Sequence, residues 1–237
     1  IYLFKKLLEN EDIKKYKKSF FYYLLFRLVR NKLNYDLKVK IHNFYIWASN
    51  KKNKQSHSIL RKCEFEDLRE LNLLKEISLK KKIFLFDCGS NFGFYSLFVA
   101  SLSHNNKIFS FEASPSTYED FKENIKLNNF KNIKPFNVVV SDIKKSEADF
   151  LESENDWESS LSNKNFKVLK STKIESTSLD YILENQNDNF FDYEVIIKLD
   201  VEGHEMNILK GASKLIKNFS PIIIIEFSKF IKDDDYK

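Results

Sequence analysis

The chain of 237 residues has few glycines, prolines, cysteines and arginines, and each shortage excludes a class of protein. Four glycines and three prolines exclude collagen-like and linker-like chains. Two cysteines, Cys63 and Cys88, are too few for a disulfide framework or a cysteine metal cluster, so a reducing, cytoplasmic setting is the default expectation. Nucleic-acid binders usually cluster arginine, whereas only 4 of the 39 basic residues are arginines, so we expect no nucleic-acid partner.

The chain also lacks an apolar run of the roughly 20 residues that a membrane span requires. Its most apolar segment is residues 19–29, SFFYYLLFRLV, which lysines flank. Two interpretations stay open: the segment packs its aromatic face on the main domain, or residues 19–30 form an amphipathic helix in peripheral contact with an anionic membrane surface. The chain starts at Ile1 without a secretory signal, so we expect the true start to lie upstream.

Hydrophobic residues (43%) and charged residues (31%) are present in ordinary globular proportions, which excludes wholesale disorder. Apolar spacing predicts helices within residues 1–37 and 64–77, and a strand pair or extended segment at 37–48. From residue 82, short apolar runs alternate with helical stretches, which is typical of a parallel sheet buried on both faces. The predicted strands are 83–88, 107–112, 133–140, 194–200 and 221–227, and the predicted helices are 93–103, 116–129, 179–184 and 205–218.

This order predicts a doubly wound α/β layer with helices on both faces of the sheet. Residues 1–80 form a helical and extended N-terminal appendage in this interpretation. Residues 81–237 form the main domain, and residues 143–178 form a polar insertion between its third and fourth strands.

Ligands of such sheets bind beyond the carboxyl ends of the strands, where the first strand here ends in residues 87–93, DCGSNFG. Gly89 permits a tight turn and close approach of a ligand, and Gly93 lets the helix pack closely on its strand. Asn91 replaces the middle glycine of the dinucleotide fingerprint, which disfavours NAD and FAD. Asp87, at the strand tip, can accept a hydrogen bond from a cationic amine.

Glu112 ends the second strand 19 positions after Gly93 (112 − 93), where a carboxylate typically receives ribose hydroxyls. The alternative is a helix-capping or solvated carboxylate. Adenosine without phosphates, together with an amine held by Asp87, describes S-adenosylmethionine.

Five segments resemble, in order, the FkbM-type S-adenosylmethionine-dependent methyltransferases: FDCGSNFGFYS, FEASPSTYEDFKENIKLNN, SLDYI, IIKLDVEGHEMNILKGA and PIIIIEF. The resemblance covers residues 65–227 and implies a Rossmann-like methyltransferase sheet. That fold usually adds two more strands after the fifth, for which the chain has no room, so we expect the last strands to be missing. The family consists largely of O-methyltransferases for hydroxyls of sugars, glycolipids, polysaccharides and macrolide-like natural products.

The resemblance also implies the cofactor contacts. For Asp142, on the adenine side, two interpretations stay open: it accepts a hydrogen bond from the exocyclic amine of adenine, or it is an ordinary turn aspartate. The implied cofactor-binding residues are Asp87, Gly89, Ser90, Asn91 and Gly93 for the methionine part, Glu112 for the ribose with Ala113 and Ser114 beside it, and Ser141 and Asp142 against the adenine.

Methyl transfer to a hydroxyl requires alignment of the two reactants and removal of the hydroxyl proton, by a base or with help from a metal. The densest cluster of suitable groups is residues 198–205, KLDVEGHE, at the tip of the fourth strand. Asp200 and Glu202 are the best candidates for a base or for metal ligands, and Lys198 is expected to pair with Asp200. A divalent metal is therefore an open question.

Three further ionisable side chains near this strand tip can each be interpreted in two ways. His204 is an alternative general base, because its ordinary pKa is near neutrality. Glu205 either caps the following helix or takes part in function. Glu226, in the fifth strand, is either a further carboxylate of the site or a paired structural group.

The sequence therefore predicts an S-adenosylmethionine-dependent O-methyltransferase for a small-molecule or glycan hydroxyl. Trp157, among polar residues of the insertion, is either a sugar-stacking side chain or part of an acidic loop. A non-catalytic or truncated cofactor-binding remnant is a second hypothesis. A nicotinamide-dependent oxidoreductase is disfavoured by Asn91 and by the lack of a clear proton-donor motif.

Overall fold

The computed structural model describes residues 2–16, 19–29, 36–48, 59–60, 68–142, 146–153, 168–186, 190–201 and 203–225. Four residues singled out from the sequence, Cys63, Trp157, Glu202 and Glu226, lie outside the described residues. We expected the last two strands of the fold to be missing. That expectation also concerns residues outside the described ones, because the described residues end at 225.

The N-terminal appendage contains helices and a hairpin, as its pattern predicts. In chain order the elements are α1 (Tyr2–Asn10), a 3₁₀ turn (Ile13–Tyr16), α2 (Phe20–Val29), β1 (Leu37–Ile41), β2 (Phe44–Ala48) and α3 (Leu68–Ser78). Strands β1 and β2 pair antiparallel, and alternate residues of both are buried. No helix among these or the other described elements is long and apolar enough to cross a bilayer.

The central sheet has five parallel strands, and the apolar runs of its three inner strands are buried on both faces, whereas its two edge strands are partly exposed. The elements that build it are β3 (Lys82–Cys88), α4 (Phe94–Leu102), β4 (Lys107–Phe111), α5 (Pro115–Asn128), β5 (Ile133–Phe136), β9 (Tyr193–Leu199) and β10 (Ile222–Ile225). The strand order is β10-β9-β3-β4-β5, so the chain order reverses between β3 and β9. The predicted doubly wound α/β fold is therefore confirmed.

A second, three-stranded sheet corrects one prediction and adds two strands to another. The predicted strand 133–140 is two strands, β5 and β6 (Val139–Val140), which belong to different sheets. The predicted polar insertion contains β7 (Ser146–Ser153) and β8 (Val168–Thr177), which pair antiparallel, and β6 pairs parallel with β8. In the described part of the insertion, Phe150 and Ile174 belong to a small buried apolar cluster, so the sequence signal for these strands is weak.

Helices α6 (Leu179–Asn185), α7 (Glu205–Lys210) and α8 (Ser213–Phe219) complete the described elements. The predicted helix 205–218 is thus broken after Lys210. These three helices cover one face of the sheet, where they pack against Phe84, Phe86 and Ile197. Helices α4 and α5 lie on the opposite face, with Ile83 and Leu85 of β3.

The appendage packs on the α4 and α5 face, where one continuous hydrophobic cluster contains Phe4, Phe44, Leu85 and Ile196. Two asparagines of α5 bind the open edge of β2. Asn128 accepts from Tyr45 N at 2.6 Å and donates to Tyr45 O at 2.7 Å. Asn124 Oδ1 accepts from Trp47 N at 2.8 Å, so side-chain amides replace the missing neighbouring strand.

Candidate active site

The turn after β3 brings the tips of three strands together. Gly89 N and Ser90 N both donate to Phe111 O of β4 at 3.0 Å, and Asp200 N donates to Cys88 O at 3.1 Å. Gly89 has φ +76°, and a Cβ there would lie 1.9 Å from Asp200 O. The close approach of the chain after β9 therefore requires glycine at this position.

Glycine is required at position 93 for a different reason from the predicted one. Its φ is +90°, and a Cβ would lie 2.0 Å from the ring of Phe121 in α5. The prediction that Gly93 packs its helix on its own strand is therefore wrong: the close neighbour is another helix, which comes from the next crossover.

A row of polar side chains crosses the sheet beneath this turn. The strand register sets Asp87 of β3 between Lys198 of β9 and Ser110 of β4. Asp87 is fully buried, and its Oδ2 accepts a hydrogen bond of 2.5 Å from Ser96 Oγ of α4. Ser96 Oγ is also 2.7 Å from Ser110 Oγ. The row therefore stabilises a buried carboxylate inside an apolar layer.

Lys198 is the cation of this row. Its Nζ donates to Asp200 Oδ2 at 3.0 Å and to Gly89 O at 3.2 Å, and it lies 3.6 Å from Asp87 Oδ1. It also lies 5.0 Å from the ring centroid of Tyr95. Two carboxylates and a carbonyl thus surround this buried ammonium group, as a buried charge requires partners to offset the cost of its burial.

The predicted Lys198–Asp200 pair is thus present, and the two aspartates differ in access. The Asp87 side chain is 0% exposed and contacts Ser96 and Lys198, whereas that of Asp200 is 36% exposed. Among the described groups of this cluster, Asp200 is the carboxylate that a ligand can reach.

Glu112 lies just after β4, beside the same turn. Its Oε2 accepts from Asn91 N at 2.7 Å, and its Oε1 accepts from Ser114 N at 2.9 Å. A carboxylate accepts about four hydrogen bonds, so these two leave room for a pair of hydroxyls. Burial raises the pKa of Glu112 to about 7, against the opposing effects of the two backbone N–H groups and of Lys198.

Asn137 is a residue of this region that the sequence interpretation missed. Its Nδ2 donates to Glu112 O at 2.9 Å and to Ala113 O at 3.0 Å, which fixes the main chain after β4. The available signal was its place in IKPFNVVV, where an amide side chain interrupts the apolar run from Phe136 to Val140.

Ser141, Asp142 and His204 form a separate group at the adenine side that the resemblance implies. Ser141 Oγ donates to Asp142 Oδ1 at 2.9 Å and lies 3.2 Å from His204 Nε2. Asn207 Nδ2 lies 3.2 Å from His204 Nδ1. Because an amide nitrogen donates, Nδ1 accepts from Asn207 and Nε2–H donates to Ser141.

These contacts engage both ring nitrogens of His204. Burial lowers the pKa of His204, although Asp142 and Glu205 act in the opposite direction, so the ring is neutral near pH 7. Glu205 Oε1 accepts from Gly203 N at 3.1 Å, a backbone group that precedes α7. Both interpretations of Glu205 therefore stay open.

Cys88, the last residue of β3, carries a buried free thiol. Burial, together with the charge of Asp87, raises the pKa of Cys88, so its thiol is inert. In the described part of the chain, no group of three His, Cys, Asp or Glu side chains is arranged to hold a metal ion.

The fold thus brings the implied cofactor residues to one edge of the sheet, in three neighbouring groups around the turn after β3. Residues 87–236, more than half of the chain, match the methyltransferase FkbM domain. The chain belongs to the FkbM methyltransferase family. The comparison with curated proteins gave no match.

Three solved structures similar to this FkbM chain are methyltransferases by name. A putative caffeoyl-CoA O-methyltransferase from Staphylococcus aureus is 13% identical, with a TM-score of 0.39, over 83% of this chain and 68% of that one. A precorrin-6y C5,15-methyltransferase from Geobacter metallireducens is 12% identical (TM-score 0.36; 70% and 60% covered), and a SAM-dependent methyltransferase from Agrobacterium tumefaciens is 14% identical (TM-score 0.35; 44% and 32% covered).

The chain spans less than two thirds of the length of the Geobacter and Agrobacterium proteins. At these identities and TM-scores, the likenesses say nothing about the reaction or the substrate of the FkbM chain.

Proposed function

We propose that this FkbM-family chain is an S-adenosylmethionine-dependent methyltransferase that methylates a hydroxyl of a sugar, glycolipid, polysaccharide or related natural product. The observation that carries the proposal is the geometry of Glu112. Its two oxygens are fixed by backbone N–H groups beside a glycine turn, and two acceptor positions are left for a ribose diol.

Two further residues, Ser90 and Asp142, fit this cofactor. Asp87 does not present the carboxylate that we expected to accept from the cofactor's amine, because its side chain is fully buried against Ser96 and Lys198. The hydroxyl of Ser90 is buried and has no hydrogen-bond partner among the described residues, so a polar ligand group would satisfy it. Asp142 is exposed and would accept from the exocyclic amine of adenine. The cofactor would supply an electrophilic methyl group, and the chain has to orient the acceptor and receive its proton.

Asp200 is the described residue best placed to receive that proton. It is partly exposed at the tip of β9, and Lys198 fixes its carboxylate through the 3.0 Å hydrogen bond. In this proposal Lys198 is a positioning residue, because its ammonium is held by Asp200, Gly89 and Asp87. Glu202 and His204 remain the alternative bases, and Asp200 with Glu202 the alternative metal ligands.

Cofactor binding is tested by isothermal titration with S-adenosylmethionine, with NAD as the negative control. We expect heat with S-adenosylmethionine alone. Glu112→Ala should weaken binding by a factor of about a hundred or more, because two hydrogen bonds to a charged group are lost at about 1.5–3 kcal/mol each. The exposed Glu119→Ala in α5 is the matched control. No heat in a folded chain contradicts the cofactor assignment, and unchanged affinity of Glu112→Ala contradicts the ribose role.

The chemical class of the product is tested with S-adenosylmethionine carrying a labelled methyl group and a panel of sugars, glycolipids and polysaccharides. An O-methyl ether keeps its label in mild alkali, whereas a methyl ester loses it. Asp200→Asn should bind the cofactor as the wild type does and transfer no methyl group. Activity that survives excess chelator would exclude the metal-assisted alternative.

A further inference from the structure

Helix α2 exposes an unusual amount of apolar surface. Four of its side chains are large, apolar and exposed: Phe20 (78%), Phe21 (58%), Tyr23 (57%) and Leu24 (43%). The helix has only ten residues, with the sequence FFYYLLFRLV. A helix with so many large apolar side chains is normally buried, and this one is exposed along one side.

The exposed side chains share one side of the helix. At about 100° per residue, Tyr23, Phe20, Leu24 and Phe21 follow one another around an arc of about 160°. Tyr22 and Phe26, which are 2% and 4% exposed, point the other way. The exposed residues therefore form one continuous strip, which we call the α2 strip.

The buried side of α2 is firmly packed, so the strip is held outward. The Phe4 ring of α1 lies 5.5 Å from Tyr22 and 6.5 Å from Phe26, and the Tyr16 ring stacks on Tyr22 at 5.6 Å. Tyr22 Oη also donates to Leu60 O at 2.6 Å. Turning the strip inward would break these contacts.

The positive charge of the chain is concentrated in the same segment. Residues 1–30 contain eight Lys and Arg and three Asp and Glu, a net charge of 8 − 3 = +5, which equals the net charge of the whole chain. The remaining residues, 31–237, therefore carry 31 basic and 31 acidic side chains and no net charge. Lys5, Lys6 and Lys15, on the elements that precede α2, are exposed.

We propose that the α2 strip docks on an anionic lipid bilayer surface, with its aromatic side chains in the interface and the neighbouring lysines against acidic headgroups. Apolar side chains at the headgroup boundary and basic residues beside them are the two elements of interfacial binding. Charge complementarity selects this occupant, since a second copy of the strip would bring two segments of charge +5 together. The inference does not depend on the proposed methyl transfer.

The experiment is co-sedimentation of the 237-residue chain with vesicles of phosphatidylcholine and phosphatidylglycerol, and with vesicles of phosphatidylcholine alone. We expect binding to the mixed vesicles that weakens as salt is added. Phe20→Ser/Phe21→Ser should lower the partition coefficient about a hundredfold, about tenfold for each aromatic side chain withdrawn from the interface. Lys5→Gln/Lys6→Gln should lower it about twentyfold for the mixed vesicles only.

The matched control is Leu79→Ser/Phe191→Ser, which removes two apolar side chains that are 78% and 82% exposed elsewhere and should leave binding unchanged. Because all four positions are exposed, Phe20→Ser/Phe21→Ser and Leu79→Ser/Phe191→Ser should both keep the wild-type thermal midpoint. The proposal is overturned if the wild type binds neither kind of vesicle or binds both equally. It is also overturned if Leu79→Ser/Phe191→Ser loses as much binding as Phe20→Ser/Phe21→Ser. It is also overturned if the α2 strip proves buried in a dimer that Phe20→Ser/Phe21→Ser dissociates.

Discussion

Both ends of the central sheet are rich in charged groups, but the two sets differ in burial and in their partners. At the amino ends of the strands, a cleft of about 790 Å³ is lined by Lys82, Lys107, Lys131, Lys134 and Tyr193, among others. Lys82 and Lys107 lie 5.8 Å and 5.7 Å from the Tyr193 ring centroid. At the carboxyl ends, Asp87, Glu112 and Lys198 are buried, and each has specific partners.

The difference teaches that neither the size of a cleft nor its number of lysines marks a functional site. Exposed lysines beside aromatic rings gain little, about 0.5–1 kcal/mol each, and water satisfies them. Burying Asp87 and Lys198 is costly unless both are paired, so the fold has to place their partners accurately. Five tests bear on this contrast.

The largest effect is expected from Lys198→Met. Removing the ammonium leaves Asp87 buried with Ser96 as its remaining partner, which should lower the free energy of unfolding by about 3–5 kcal/mol. Denaturant titration measures this. Asp87→Asn/Lys198→Met should recover a large part of the loss, because no buried charge remains. Lys82→Met at the amino end is the control and should change the free energy of unfolding by less than about 1 kcal/mol. Equal losses for Lys198→Met and Lys82→Met would remove the contrast.

The next largest effect concerns the turn that carries the carboxyl-end groups. Gly89→Ala adds strain at φ +76° and a clash with Asp200 O, and we expect a loss of about 3 kcal/mol or more. Gly203→Ala is the matched control, since Gly203 has φ +88° but a Cβ added there would meet no atom within 4 Å, and strain alone costs about 1–2 kcal/mol. Similar unfolding midpoints for the two variants would show that the close approach is unimportant.

A smaller effect is expected from pH through Glu112. Its pKa is about 7 in the folded chain, so its proton must leave before the carboxylate can accept the ribose hydroxyls. Cofactor affinity should rise as the pH increases towards 7, about tenfold per pH unit, and level off above it. Titration calorimetry across this range measures it. Glu112→Gln should bind weakly with no such rise, and a rise that persists in this variant would assign the proton to another group.

The same pKa has the opposite consequence for stability. Because folding raises the pKa of Glu112 from 4.5, the folded chain holds a proton that the unfolded chain has released between about pH 4.5 and 7. The contribution of Glu112 to the free energy of unfolding should therefore fall as the pH rises through this window, by up to about 3 kcal/mol. Denaturant titrations of the wild type and Glu112→Gln at several pH values measure the difference.

The smallest effect is expected at the amino end itself. Lys82→Gln and Lys107→Gln each remove an ammonium group that faces the Tyr193 ring, so the free energy of unfolding should change by less than about 1 kcal/mol and cofactor affinity should not change. A clear loss of cofactor affinity in either variant would break the contrast between the two ends.

The sheet was predictable because strands buried on both faces leave continuous apolar runs, as in IFLFDC and EVIIKL. The β1–β2 hairpin was predictable from its alternation. The break at Asn137 and the hairpin of β7 and β8 were not, since an apolar run does not show which sheet each half joins. The break of the helix after Lys210 was also missed, although Gly211 stood at that point.

The site was predictable where neighbours in sequence are neighbours in space, as with Lys198 and Asp200. Ser96 and Ser110 were missed because their contact with Asp87 depends on the strand register and on the crossover of α4, which composition does not determine. The signal was a single serine in each of two apolar segments, FYSLFV and KIFSF.

Asn124 has a consequence for how modular this chain can be. Its amide is 1% exposed; Oδ1 accepts from Trp47 N of the appendage, and Nδ2 donates to Phe92 O, inside the turn that follows β3. The family match begins at residue 87, but a protein cut there would lose most of β3, would remove the Trp47 partner of Asn124 and would expose the apolar face that Phe44 and Phe4 cover. The FkbM region is therefore not an interchangeable part. A graft of it onto another scaffold would need to carry the β1–β2 hairpin along.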